Sequence, residues 1–440
     1  MLAVNVKIIQ ELKNFVRCVA ENEVLLDKFR CFPGDFTRNR KLPFASLILI
    51  ITRLCKKTLS VELEQFFEEM GVNLTCSVSA FSQQRHKLSA SFFYCWNNVL
   101  CHYFYLLYAN NVKKWKGYRV MAVDGSTISL INTPSLSAYF GGQRNQLRSF
   151  VLGKTLYCYD VLNELIVHSW LGAYRFGEVP AAYRQMDWLE NDMLMIYDRN
   201  FYSYKMLALH LWQEKEIKFV IRAKESRSLI KSFIASGQAS AVVQMRPTAE
   251  AIKGLRQSGY IITKATLLTV RLVRVDLGDC IEVLATNLWE EEGHDTSEFK
   301  DIYFMRWGVE TNISFQKNIQ QLESFSGLRV NTVLQDFYAT AFMSNLHTLL
   351  IKEAQQTIDK QSHIKKYPMR VNKNKSFGKL KKQLVPLFFN TSPIAILQYL
   401  HDHFIKHELP VRKGRSFERI RKNPQSNSKY RTFSNFKPSY

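Results

Sequence analysis

No stretch of this 440-residue chain is apolar for long enough to cross a bilayer. The longest run, residues 43–52, is about half of the roughly 20 residues a spanning helix needs. The amino-terminal segment also lacks the basic-then-apolar pattern and small-residue cleavage site of a secretory signal. A cytoplasmic location, with no membrane partner, is therefore expected. Eight cysteines, at 18, 31, 55, 76, 95, 101, 158 and 280, include no C-x2-C pair. Most lie in apolar or helical surroundings, as expected of reduced thiols. His401, His403 and His407 form the one histidine cluster, but no cysteine or acid stands at ligand spacing. They read as tail residues near DNA or solvent rather than as a zinc site. No internal repeat is present.

Acidic residues are also scarce: 38 Asp and Glu face 60 Lys and Arg, for a net charge of +22. Such a balance points to a polyanionic partner. The surplus is uneven. From residue 361 onward there are 18 basic residues against 3 acidic, whereas the first 360 hold 42 against 35. The basic tail beyond Pro410 is interrupted by Gly414, Pro424 and Pro438 and is expected to be disordered without a partner. Its charge suits either nucleic-acid binding or mere solubility.

Four residues carry the most information: Tyr303, Arg306, Glu310 and Lys317. At about 100° per helical residue, their offsets of 0, 3, 7 and 14 place them within an arc of roughly 60°. An arc that narrow is usually apolar, because it faces a core. A carboxylate set between two cations suits a phosphate-rich ligand held near a metal ion, and it also suits a solvated face with ion pairs. Two upstream acids favour the first reading. Asp124 follows Tyr118-Arg119-Val120-Met121-Ala122-Val123, and Asp198 follows Met193-Leu194-Met195-Ile196-Tyr197. Each run has the length and composition of a buried strand. Each ends in a carboxylate at an expected turn, where a rigid scaffold commonly places functional groups.

These motifs resemble those of bacterial insertion-sequence DDE transposases with a Y-x2-R-x3-E-x6-K signature. Here the signature reads Tyr303-Phe-Met-Arg306-Trp-Gly-Val-Glu310-Thr-Asn-Ile-Ser-Phe-Gln-Lys317. The first acid stands in Val123-Asp124-Gly125-Ser126 and the second in Asp198-Arg199-Asn200-Phe201-Tyr202-Ser203. The run at 36–44 is also similar, and the resemblance spans roughly residues 30 to 350. It implies an α/β fold: a ribonuclease H-like mixed-sheet core interrupted by a β-rich insertion, with an N-terminal helical domain and a basic C-terminal region. The expected division is 1–112 helical and DNA-binding, 113–223 first core segment, 224–299 insertion, 300–350 second core segment, and 351–440 basic region and tail.

The resemblance further implies cut-and-paste DNA transposition, with Asp124, Asp198 and Glu310 binding two Mg²⁺ or Mn²⁺ ions. Asp124 would bridge both ions, which suit hard oxygen ligands. Tyr303, Arg306 and Lys317 would hold the cut strand, and Trp289 would stack on an unpaired base as in some relatives, or equally serve as a core residue. The implied partners are double-stranded terminal inverted repeats, target DNA and a second copy in a synaptic dimer. The location would be bacterial cytoplasm, at the nucleoid when DNA-bound. Two other functions keep the fold: a transposase-derived DNA-binding regulator without catalysis, and a metal-dependent endonuclease without strand transfer.

A coarse reading of the remaining chain adds local expectations. Residues 60–70 read as a helix stopped by Gly71, and a second helix begins near Ser77. The pair resembles a helix-turn-helix, offering Ser82, Gln83, Gln84, Arg85 or Lys87 to DNA. It reads equally as an ordinary helical pair with a polar face. The signature helix is expected to begin at Asp295, with Glu298 completing a capping box. Gly308 within it suggests a close backbone approach.

Overall fold

The structure, a computed structural model, describes residues 2–412 apart from 39–40, 54–55, 73–74, 145–148, 279 and 362–364. The basic tail beyond residue 412 lies outside the described residues. The chain forms two compact units, one of residues 1–110 with 314–440 and the other of residues 111–313.

The second unit is built on a nine-stranded mixed sheet. Its strands are β1 (Arg119–Leu130), β2 (Gly142–Arg144), β3 (Ser149–Asp160), β4 (Leu165–Ala173), β5 (Met193–Tyr197), β6 (Lys218–Arg222), β7 (Ser240–Met245), β8 (Leu268–Asp276) and β9 (Ile281–Thr286). The order is β2-β3-β1-β5-β6-β9-β8-β7, with β4 also paired to β3. β1, β5 and β6 run parallel, and the remaining pairings are antiparallel. Strands β7–β9 thus continue the sheet from its β6 edge rather than forming one of their own.

Alternation along the central strands divides the core between two faces. Met121, Val123, Met195, Tyr197, Phe219 and Ile221 pack under the Tyr204–Leu211 helix. Val120, Leu194, Ile196 and Val220 pack against Phe299, Ile302 and Tyr303 on the opposite face.

The first unit is helical, apart from a short pair between Met369–Val371 and Glu408–Pro410. Its axis is the 32-residue helix Val330–Gln361. Trp96, from helix Ser91–Leu107, stacks on Phe342 of that axis with centroids 3.9 Å apart. Helix Leu59–Glu69 ends before Gly71, whose φ is +65°, and helix Val78–Arg85 is capped by the Ser77 hydroxyl. The two expected helices are therefore present.

Two expectations need correction here. Arg85 is 2% exposed and directed inward. Its guanidinium donates to Gln335 Oε1 and Ser326 Oγ, both at 2.6 Å, and to Thr332 O and Asp336 Oδ1. Buried, with four of its five N–H donors committed inside, it is not presented to a base edge; Gln84 is buried as well, whereas Gln83 is exposed and Ser82 and Lys87 are half-buried. His401 and His403 lie on the folded helix Ile394–Lys406, anchored by Leu397, Leu400 and Phe404, and not on a tail.

Candidate active site

The site begins with strand register. Val123 pairs with Tyr197 across the parallel β1–β5 ladder, so Asp124 and Asp198 follow adjacent partners. Neighbouring strands lie about 4.8 Å apart, and successive side chains alternate between faces. Val123 and Tyr197 belong to one core face. The two acids therefore point to the other, where Tyr303 packs. Asp198 stands just after β5, where the chain turns into Arg199–Phe201. Asp124 does not end its strand: β1 continues to Leu130, paired with β3 throughout. The Gly125-Ser126-Thr127 sequence that suggested a turn is held extended by that ladder.

Glu310 arrives on helix Trp307–Asn318. The expected single helix is divided, because helix Phe299–Phe304 ends at Met305 and Arg306 occupies the turn between the two segments. Bonds from Arg306 N to Tyr303 O and from Val309 N to Arg306 O span three residues and tighten the backbone there. The start also differs from a capping box. Asp295 accepts from Ser297 N, while Glu298 pairs with Lys116 at 2.6 Å. Gly308 does mark a close approach: a Cβ there would stand 3.2 Å from Val161.

Arg306 links the acids. Its Nη1 is 2.8 Å from Glu310 Oε1 and 3.9 Å from Asp124 Oδ2, and the guanidinium lies over the Trp307 ring at 4.7 Å. Asp198 lies within electrostatic reach of both Arg306 and Tyr303. Arg306 Nε and the Tyr303 hydroxyl are buried without a hydrogen-bond partner among the described residues. Two orphan donors beside three carboxylates mark a site built to receive something polar. Among the described residues, no group of three or more His, Cys, Asp or Glu is gathered to hold a metal ion. The donor set nonetheless suits a hard divalent cation, for it consists of carboxylate oxygens.

Residues 115–346 match the family model described as "Transposase DDE domain", more than half of the sequence. The chain belongs to the DDE transposase family. The cryo-EM structure of a piggyBac transposase synaptic complex with hairpin DNA is similar to this transposase at 12% identity and a TM-score of 0.41, over 100% of this chain and 90% of that one. No curated protein matches it.

The other residues singled out in this transposase lie elsewhere. Lys317 is two helical turns beyond Glu310, past the boundary at which the chain enters the helical unit. Trp289 is half-buried in the turn after β9. Glu178 was not anticipated, and its sequence context carries no signal for it. It pairs with Lys154 at 3.0 Å and lies against Gly125. A Cβ on Gly125 would come within 2.7 Å of the Thr155 carbonyl oxygen and 2.4 Å of the Glu178 side chain. Gly125→Ala is expected to cost about 1–3 kcal/mol through overpacking. Urea unfolding checks this, and an unchanged midpoint would contradict it.

Burial pushes the Asp124 carboxyl up to about 6 from 3.8, with Glu310 and Glu178 acting in the same sense. The Gly125 N–H, 2.8 Å from Oδ1, and Arg306 oppose the rise. A folded-state value above the unfolded one means that the native state holds the proton more tightly. The associated stability is present below about pH 4 and lost as pH rises through about 6. In chelator at pH 7, Asp124→Asn is expected to be more stable than the parent by at most about 3 kcal/mol. The gap should close toward pH 4. A difference independent of pH in denaturant titrations would refute this.

Proposed function

We propose that the chain is a metal-dependent DNA transposase of the bacterial insertion-sequence type carrying the Y-x2-R-x3-E-x6-K signature. It cuts transposon ends and joins them to target DNA. The observation that carries this reading is the adjacency of Asp124 and Asp198, each directly after the last paired residues of the parallel strands β1 and β5, with Glu310 tied to Asp124 through Arg306. The order β4-β3-β1-β5-β6, three antiparallel strands followed by two parallel ones, supports a ribonuclease H-like core. Asp124, Asp198 and Glu310 would hold two Mg²⁺ or Mn²⁺ ions. Bound there, such ions supply activation of water and stabilisation of a departing 3′ oxygen.

The chain's own groups position the strand. Arg306 offers charge-assisted hydrogen bonds to phosphate oxygens, Lys317 a point charge, and Tyr303 a hydroxyl that lacks a partner among the described residues. Trp289 is proposed to stack on an unpaired base, and Gln83 and Lys87 to contact the duplex. The working form is proposed to be a dimer on paired ends.

Inverted repeats should flank the gene. With Mg²⁺ and DNA bearing those repeats, the purified protein should release 3′ hydroxyl ends and join them to a target plasmid. Cleavage without joining would identify an endonuclease, and binding without cleavage a regulator. On saturated DNA, Arg306→Ala and Lys317→Ala should each slow single-turnover cleavage by about 10²-fold, because small misplacements of reacting atoms carry costs of that size. Wild-type rates would remove both residues from the strand-holding role.

A further inference from the structure

A second concavity in the sheet unit has a basic lining that includes none of the three site carboxylates. Its volume is about 590 Å³, and it is bounded by the start of helix Tyr204–Leu211, by Arg227, by the end of β7 and by helix Ala249–Arg256. Four cations line it, Lys205, Arg227, Arg246 and Lys253, against the one carboxylate of Glu250. Lys205 is committed to structure. Its Nζ donates to Gly254 O at 2.9 Å and to Ser258 Oγ at 3.1 Å, joining the two helical walls. Arg227, Arg246 and Lys253 are exposed, and none has an ion-pair partner among the described residues. Tyr202 lines the same cavity, four residues beyond Asp198, so their Cα atoms are at most about 14 Å apart along the chain.

We infer that this groove binds an unpaired, single-stranded stretch of DNA. Cavities of this size enclose ligands of roughly drug or nucleotide dimensions, so one or two nucleotides enter where a double helix does not. The three unpaired cations supply contacts for consecutive phosphates. The inference rests on the DNA reading above but assigns a different surface from the carboxylate site and its signature residues.

The test uses the full chain, fluorescently labelled dodecathymidylate and a labelled duplex of the same length. A triple variant, Arg227→Ala/Arg246→Ala/Lys253→Ala, is compared with Lys231→Ala/Lys264→Ala/Lys300→Ala, which removes equal charge from exposed positions of the same unit. The groove variant should bind dodecathymidylate at least about tenfold more weakly than the control variant. Its salt slope should be shallower by about two, since each single-strand phosphate contact contributes about 0.7. Duplex binding should be the same for both. Hydrogen exchange in the parent protein should show protection over 244–257 when dodecathymidylate is added. Equal single-strand binding by the two variants, or unchanged exchange over that segment, overturns the groove while leaving duplex recognition standing. A parent protein that binds neither form of DNA overturns the underlying reading and the groove with it.

Discussion

Asp124→Asn, Asp198→Asn and Glu310→Gln are each expected to reduce cleavage of transposon-end DNA by at least about 10³-fold, with binding of the ends retained. A metal centre contributes several kcal/mol of transition-state stabilisation, and each 1.36 kcal/mol is tenfold in rate. The substitutions keep shape and exchange a charged oxygen for an amide, so each variant should still fold, Asp124→Asn with the added stability at pH 7 given above. The acids are partly solvent-accessible, and each lies on an element with its own packing. Glu310 is half-exposed beside Val309 and Ile313, which are the buried anchors of its helix. The measurement is single-turnover cleavage in Mg²⁺ beside end-binding titrations and thermal melts. A variant that cleaves at near-parental rates removes its residue from the site. A variant that loses binding and cleavage together would instead show a structural carboxylate.

Arg85→Ala should have the largest effect on stability. Removing one member of a buried ion pair leaves the other uncompensated, at about 3–5 kcal/mol. Asp336 would keep hydrogen bonds from Ser326 N and Oγ and the field of Lys56, but lose the guanidinium that contacts it at 2.6 Å. The pair Arg85→Met with Asp336→Leu should recover much of that loss, since apolar replacement of both charges is often neutral or stabilising. Denaturant midpoints of the single and double variants decide the matter. A near-silent Arg85→Ala would show that water reaches Asp336 and that the pair is effectively a surface one.

The same two sites show where sequence reading succeeds and where it stops. Continuous apolar runs identify strands buried on both faces, and 193–197 and 218–222 were legible for that reason. Once 193–197 is a strand, Asp198, which follows it, has nowhere to go but the sheet's carboxyl edge. The extension of β1 to Leu130 was not legible, because Gly125 marks a turn in isolation and an extended crowding point only beside Thr155 and Glu178. The break at Arg306 was equally hidden. Phe304, Met305 and Trp307 carry no helix-breaking signal, and the interruption coincides with an inward guanidinium shared between Asp124 and Glu310. Arg85 looked available because its polarity was visible while its acid, 251 residues away, was not. Helices Ser228–Ala235 and Ala249–Arg256 lie in a region read simply as β-rich, since each is only eight residues long.

The nesting of one unit inside the other sets an order for synthesis. Residues 111–313 are contiguous, so the sheet unit can close as soon as it has left the ribosome. The first 110 residues cannot finish so early. Trp96 must wait for Phe342, and Arg85 for Asp336, before its charge is matched. During that interval the amino-terminal helices carry an unmatched cation and open apolar faces, whereas the carboxylate-bearing strands are already in register. A nascent chain stopped between residues 314 and 330 would have a complete sheet unit attached to amino-terminal helices without their long partner. Aggregation and proteolysis of such products should therefore begin in residues 1–110, the part made first and completed last.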